Sequence, residues 1–224
     1  MEGSPAVEPG GRWTGQRARP RRRLLEYGRR AFARRGHAAT NLKEDVLLPS
    51  GVSVGSFYHQ FRDKTDLFLA ILEEHGTTFR QMIHDANRPR EGMDREQIAR
   101  QSFETAFVIA EENADLFHIM LRESESEDER VRRFLREGRR GWTQGLMADY
   151  RAMLNGHEVA DGELEMAAEL VQSMTFGAIV HFLGLTPEEQ RRERSRLIDG
   201  LVRFSLGGFS ALLEAAATGR RRTV

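Results

Sequence analysis

Apolar residues recur at helical spacing along most of the chain, and no stretch alternates apolar and polar residues as a half-buried strand does. This pattern predicts an all-α fold. The helices are predicted over about 21–35, 41–48, 51–61, 63–87, 95–111, 114–122, 127–154, 162–183 and 187–217.

Local signals place the ends of the first helices. Gly36 ends the first helix, and Asn41 with Glu44 three residues later resembles a capping box that starts the second. Pro49 lacks an N–H group and crowds the preceding turn, so we expect the second helix to stop by about Leu48.

The third segment, residues 51–61, has too few apolar positions to be a core helix. Val52, Phe57 and Phe61 form its inward stripe. The outward positions carry small or hydrogen-bonding side chains, which suits a helix that enters a DNA groove. DNA is therefore the leading partner, and the alternative is a solvated surface helix of a bundle.

Composition and charge narrow the class of protein. The chain has 224 residues, 39% of them hydrophobic, and a formal net charge of zero, so any attraction to DNA must come from uneven charge. The charge is uneven, because residues 12–35 carry ten arginines and one acid, whereas residues 123–129 are acidic. That acidic run is predicted to be a solvated loop.

Residues 1–20 combine prolines, a glycine pair and arginines without any helical period. We predict a disordered basic arm. The alternative to a plain tail is an arm that becomes ordered along the minor groove or the phosphates of DNA. A second disordered tail is predicted over 218–224.

Several functions are disfavoured by what the sequence lacks. There is no cysteine, no glycine-rich phosphate loop and no histidine pair with metal-ligand spacing, so we predict no enzyme activity, no metal and no cofactor. No apolar run approaches the ~20 residues that cross a bilayer, which predicts a cytoplasmic protein without membrane contact. A helical enzyme with a helix-turn-helix-like start remains the alternative.

Residues 24–72 resemble the N-terminal DNA-binding domain of the tetracycline-repressor (TetR) family. The resemblance rests on residues 32–36 (FARRG), Thr40, residues 51–61 (GVSVGSFYHQF) and Lys64. It implies an all-helical homodimer whose helix-turn-helix binds a palindromic operator and whose C-terminal body holds a small effector that weakens operator binding. The expected domains are 21–66 for the helix-turn-helix and 67–217 for the ligand-binding and dimerisation body.

This chain departs from the family's spacing in one place. It has one residue more than usual between Thr40 and Gly51, and the extra residue falls near Lys43 or Glu44. The spacing leaves open whether Thr40 or Asn41 takes the phosphate-contacting cap position.

The DNA-binding candidates combine caps, small side chains and hydrogen-bond donors. Ser53 should cap the third helix, and the outward Val54 suits contact with a thymine methyl group. Tyr58 and His59 can donate to phosphate oxygens, and Lys64 supplies a point charge at the start of the fourth helix. The complete set is Thr40, Asn41, Ser53, Val54, Gly55, Ser56, Tyr58, His59 and Lys64.

The last two helices are apolar over more than one face, which exceeds what the core of one chain needs. The resemblance implies that they form a four-helix bundle between two subunits. The alternative is ordinary packing within one chain. The dimerisation candidates are Leu164, Ala168, Val171, Ala178, Phe182, Leu201, Phe204 and Phe209.

Aromatic residues and methionines of the body could line an apolar cavity, with two histidines as polar points. For each of these residues, core packing is the alternative. The effector-binding candidates are Phe103, Phe107, Phe117, His118, Met120, Trp142, Met147, Met174 and His181.

Together these features favour a ligand-responsive dimeric regulator, with a repressor role, that binds an operator and is released by a small apolar effector. The competing hypothesis is a nonspecific DNA-binding or adaptor protein whose arginine arm supplies most of the affinity. Selection of bound duplexes from a random pool would separate the two.

Overall fold

A computed structural model describes residues 11–88, 92–154 and 159–219, and every regular element in these ranges is helical. The all-α prediction is confirmed. We number the helices α1 (Gly11–Ala39), α2 (a π-helical part, Leu42–Leu47, continued by an α-helical turn, Leu48–Ser50), α3 (Val54–Tyr58), α4 (Lys64–Asn87), α5 (Arg95–Glu112), α6 (Ala114–Glu123), α7 (Glu129–Met153), α8 (Asp161–Leu183) and α9 (Pro187–Gly219).

The first helix is longer than the sequence pattern predicts. It begins at Gly11, so residues 11–20 are helical and the predicted disordered arm is wrong for this part. Pro20 lies inside the helix, where it removes one backbone hydrogen bond, but the arginines around it are good helix formers. Residues 1–10 of the predicted arm and 220–224 of the predicted tail lie outside the described residues.

Gly36 interrupts α1, as predicted. Its φ of 77° and ψ of 170° are not helical, and a glycine adopts this positive φ without the strain that a side chain would cause. The short segment after Gly36 therefore turns away from the axis of α1 and leads into α2.

The helix-turn-helix head, formed by α1 to α3 and the start of α4, has its own aromatic core. Phe32 and Phe68 meet edge to face with ring centroids 4.9 Å apart, and both are buried. Phe57 and Phe61 are also buried, as predicted from the inward stripe of the third segment. This core fixes α3 against α1 and leaves the opposite face of α3 uncovered.

The long helix α4 connects the head to the body. In the body, α5 packs against α4, α8 and α9, and Phe107 of α5 meets Phe182 of α8 with ring centroids 5.1 Å apart. An ion pair joins Arg100 of α5 to Asp199 of α9 at 2.6 Å. The body is therefore a helical bundle with α5 at its centre.

Helix α8 leaves much of its apolar surface uncovered. By length and composition alone it is the one helix in the described ranges that could cross a membrane, and 17% of its most apolar window is buried within the chain. Met166 and Leu170, which lie one turn apart on α8, are 53% and 57% exposed. Water disfavours such a contiguous apolar surface, so a partner that covers it would stabilise the protein.

Candidate nucleic-acid interface and effector cavity

Asn41, and not Thr40, caps helix α2. The Asn41 side-chain oxygen accepts hydrogen bonds from the backbone N–H groups of Lys43 and Glu44 at 3.0 and 3.1 Å. Thr40 is buried and its hydroxyl donates to the Gly36 carbonyl at 2.6 Å. The assignment of Thr40 to DNA contact is therefore corrected, because its hydroxyl is committed to the end of α1.

A π-helical turn lies where the spacing predicts an extra residue. The N–H of Leu48 donates to the carbonyl of Lys43, five residues earlier, which is the hydrogen bond of a π-helix. The predicted return contact from Glu44 to the cap is wrong. Asp45, one residue further on, takes that role and accepts from the Asn41 N–H at 2.8 Å.

The π-helical turn preserves the inward register of α2. Val46 and Leu47 remain buried, whereas Lys43 and Glu44 are exposed. Pro49 follows in the first turn of the α-helical part, where a missing N–H costs least, so the helix continues to Ser50 and does not stop at Leu48. Gly51 then ends it with a φ of 61°.

Helix α3 presents the outward face that the sequence predicts. Ser53 caps it, because the Ser53 hydroxyl accepts from the Ser56 N–H at 3.2 Å. Val54 and Tyr58 are 51% and 60% exposed, and His59 is exposed beside them. A Cβ added at Gly55 would have no neighbour within 4 Å, so this face is open to a large partner.

The Lys64 ammonium group is less available to a DNA phosphate than the sequence suggests. Its ammonium group donates to the carbonyls of Ala38 and Thr40 at 3.1 and 2.9 Å. Burial lowers the pKa of Lys64, although Glu123 and Asp128 act in the opposite direction. Two of its three donors thus hold the segment before α2, and Lys64 positions the Asn41 cap more than it offers a free charge.

A buried hydrogen-bonded chain joins the head to the body, and the sequence did not reveal it. The His37 ring Nε2 lies 2.9 Å from the Thr65 hydroxyl, and that hydroxyl donates to Asp128 at 2.9 Å. Because a hydroxyl has one proton, His37 must donate from Nε2. Asp128 precedes α7, so the chain connects α1, α4 and α7.

Glu123, at the end of α6, makes the second buried connection. It is 6% exposed, and its carboxylate accepts from the His37 backbone N–H at 2.8 Å. The prediction of a solvated acidic loop is therefore wrong for Glu123 and Asp128. A loop's local sequence cannot show that a partner 86 residues earlier in the chain buries its acid.

The other end of α6 is also attached to α1. Arg29 donates to both carboxylate oxygens of Asp115, each at 2.6 Å, and to the side chain of Asn113 at 3.3 Å. Burial opposes ionisation of Asp115, but the hydrogen bonds and charge of Arg29 keep its pKa below the usual value. Helix α6 is thus fixed to α1 at both ends.

We expect the connection between head and body through His37, Thr65 and Asp128 to weaken in mild acid. Burial, followed by the charge of Lys64, lowers the pKa of His37 from its usual 6.5, so the unfolded chain binds this proton more tightly than the folded chain does. The free energy of unfolding should therefore fall as pH drops below 6.5. Urea unfolding between about pH 5 and pH 7 measures the slope, which His37→Asn should reduce; an equal slope in the variant would contradict the assignment.

A cavity of about 1450 Å³ lies between α4, α5, α6, α7, α8 and α9. Its wall is mainly apolar. Five predicted residues lie in it, namely Phe103, Phe117, Met120, Trp142 and Met174.

Four predicted effector residues lie elsewhere. Phe107 is fully buried against Phe182, and Met147 is not part of the cavity wall. His118 is exposed on α6, and His181 is exposed beside a shallow groove between α8 and α9. A helical stripe shows that a residue faces inward, but it does not separate close packing from a cavity wall.

The polar groups at one end of the cavity are already paired. Asn87 donates to Asp149 at 2.6 Å, and the Ser102 hydroxyl donates to Asn87. Burial raises the pKa of the nearby Tyr150 above its usual 10.0, so its phenol stays neutral. At this end of the cavity, Asn87 and Ser102 therefore bond to protein groups, and the neutral Tyr150 phenol lies beside them.

The dimerisation candidates divide into two groups. Leu164, Ala168, Phe182 and Leu201 are buried within the chain, so their assignment to a subunit interface is corrected. Val171, Ala178 and Phe209 are partly exposed, and Phe204 is 73% exposed. Met166 and Leu170, which lie one turn apart on α8, are exposed apolar residues outside this set, and their one-turn spacing is the signal in the sequence that marks a shared face.

Residues 24–71 match the sequence model of the family described as "Bacterial regulatory proteins, tetR family". Among solved structures, the chain is similar to Salmonella enterica GusR, with 22% identity, a TM-score of 0.69, and 85% of this chain and 95% of that chain covered.

Two further structures have the same fold. A TetR-family transcriptional regulator from Streptomyces coelicolor, SCO4454, has 16% identity and a TM-score of 0.64. The match covers 92% of this chain and 98% of that chain. Reduced Escherichia coli NemR has 20% identity and a TM-score of 0.60, with coverage of 83% and 95%. At these identities, the structural likeness establishes the fold.

Proposed function

We propose that this chain, a TetR-family protein with that family's N-terminal DNA-binding domain, is a homodimeric repressor released by a small effector. The observation that carries the proposal is the open face of α3, with Val54 and Tyr58 exposed above a fully packed head core. An uncovered face of this composition fits the edges of bases in a major groove. We also propose that the protein catalyses no reaction and acts in the cytoplasm.

Operator preference should depend on Val54. Replacing it by alanine removes apolar contact with a thymine methyl group, so we expect a weaker preference at one base pair of each half-site, by about 1 kcal/mol or more. Competition binding with single-substituted operators measures this. Tyr58→Phe is the matched variant, because loss of a phosphate donor should weaken all sequences equally. An unchanged base preference in Val54→Ala would remove Val54 from the contact.

One short helix contacts too few base pairs to select an operator, which favours a dimer. Two α3 helices of a dimer would occupy half-sites about one DNA turn apart, which supplies the selectivity that one lacks. Phe204, Met166 and Leu170 form an exposed apolar surface on α8 and α9 that supports a subunit interface at this place.

The effector would act through α6. Phe117 and Met120 of this helix line the cavity, while Asp115 and Glu123 of the same helix attach to α1 of the head. A ligand that displaces α6 therefore changes the position of the head and the separation of two heads in a dimer. The apolar wall with paired polar groups favours a mostly apolar, uncharged effector.

Selection of bound duplexes from a random pool tests the function. A palindromic consensus with half-sites about ten base pairs apart supports a dimeric regulator. Binding without any consensus would instead support the second candidate, a nonspecific DNA-binding protein, which the basic α1 favours.

A further inference from the structure

Four exposed arginines lie in the N-terminal half of α1, at positions 19, 21, 22 and 23. Within the described residues, none of them has a carboxylate partner. The acid nearest in sequence, Glu26, pairs with Arg30 at 2.7 Å. We call these four residues the α1 arginine cluster.

The rest of the head's arginines are mostly used internally. Arg29 binds Asp115, Arg35 binds Asp45 at 3.1 Å, and Arg62 binds Asp66 at 3.3 Å. Pairing of this kind positions helices and leaves little charge for a partner. The α1 arginine cluster differs because no carboxylate of the described residues pairs with it.

Two contacts place the α1 arginine cluster beside α3. The Arg21 guanidinium carbon lies 4.8 Å from the centre of the Phe61 ring, just after α3. A guanidinium nitrogen of Arg23 would lie 3.1 Å from a Cβ built at Gly51, just before α3. The cluster therefore borders the same part of the head as the exposed Val54 and Tyr58.

The distribution of charge points the same way. Residues 19–66 contain eleven arginines and lysines but five acids, whereas the whole chain has 34 of each. The remainder of the chain is thus net negative. An anionic polymer is attracted to the head and repelled by the body.

We propose that the α1 arginine cluster is a second DNA contact, which binds backbone phosphates beside each half-site. This rests on the proposed function, namely that the head binds duplex DNA. Guanidinium groups bind phosphate oxygens with two parallel hydrogen bonds and carry no base preference. The cluster would thus strengthen binding to every sequence, while α3 selects among sequences.

The variant Arg19→Ala/Arg22→Ala tests the proposal, because neither residue contacts the head core through a ring or ion pair in the described residues. Each arginine–phosphate pair steepens the salt dependence by about 0.9, so removing four such pairs from a dimer should flatten the slope by about 3.6. At about 0.15 M salt the affinity should fall between a hundredfold and a thousandfold, equally for operator and random duplex.

Two controls separate charge position from net charge. Arg191→Ala/Arg192→Ala removes the same charge from an exposed part of α9 and should keep the wild-type slope. Arg19→Lys/Arg22→Lys keeps the charge at the cluster and should therefore restore most of the wild-type slope. Circular dichroism before titration checks that each variant is folded.

A wild-type slope on DNA for Arg19→Ala/Arg22→Ala would overturn the proposal. So would an effect confined to anionic phosphatidylglycerol vesicles, since the partner would then be a lipid surface. If the wild-type protein selects no operator but the variant flattens the slope, the proposed function fails while the phosphate contact stands.

Discussion

Phe204→Glu is expected to convert the proposed dimer into a monomer and to abolish tight operator binding. Phe204 is the most exposed of the large apolar side chains in the described residues, and in a two-fold symmetric interface the change acts twice. Burying two aromatic rings contributes several kcal/mol, and two unpaired carboxylates in their place would oppose association. The dimer dissociation constant should therefore rise by about three orders of magnitude or more.

Sedimentation velocity at micromolar concentration measures the change, and operator titration measures its consequence. Met82→Glu provides the control, because Met82 is an exposed apolar residue on α4, which packs against α1, α5 and α7, and its substitution should leave the proposed dimer intact. A Phe204→Glu protein that sediments as a dimer would place the subunit interface on another surface.

Glu123→Ala is expected to lower the free energy of unfolding by about 1–3 kcal/mol. The change leaves the buried His37 N–H without an acceptor, and an unsatisfied buried donor costs about that much. It also weakens the attachment of this end of α6 to the head, where the bond from Arg122 to the Ala33 carbonyl remains. Urea unfolding measures the stability, and amide hydrogen exchange should show a larger effect in the head than in α5.

Glu127→Ala is the matched control from the same acidic run. Glu127 is exposed, so its loss should change the stability by less than about 0.5 kcal/mol. Glu123→Gln retains an acceptor oxygen and should lie between the two variants. Equal stabilities for Glu123→Ala and Glu127→Ala would show that the buried connection contributes nothing to the fold.

The second helix shows how far local sequence can be taken. The spacing predicts an extra residue near Lys43 or Glu44, which both lie within the π-helical turn. It does not indicate how the backbone absorbs the residue. Val46 and Leu47 at the end of the π-helical turn are buried in the head core, and this segment packs against α1 and α3, so its conformation depends on residues outside it.

The acidic run, residues 123–129, extends from the last residue of α6 to the first of α7, and here local sequence gives the wrong environment for two of the acids. By composition it is a solvated loop, and Glu127 is indeed exposed. Glu123 and Asp128 become junction residues because His37 and Thr65 approach them from the head. No pattern within the run distinguishes these two acids from their neighbours.

Local sequence was enough to establish the helical class, most helix boundaries, the Gly36 break and the outward face of α3. These depend on caps, prolines, glycines and periodicity, whose effects extend over a few residues. The packing of the helices was needed to show that Phe103 lines a cavity while Phe107 fills the core, and that Leu201 is buried while Phe204 is exposed. These distinctions depend on which helices meet and how closely they pack. Two residues of equal hydrophobicity at equivalent positions of an apolar stripe look the same in the sequence, so the sequence does not show which of them is buried.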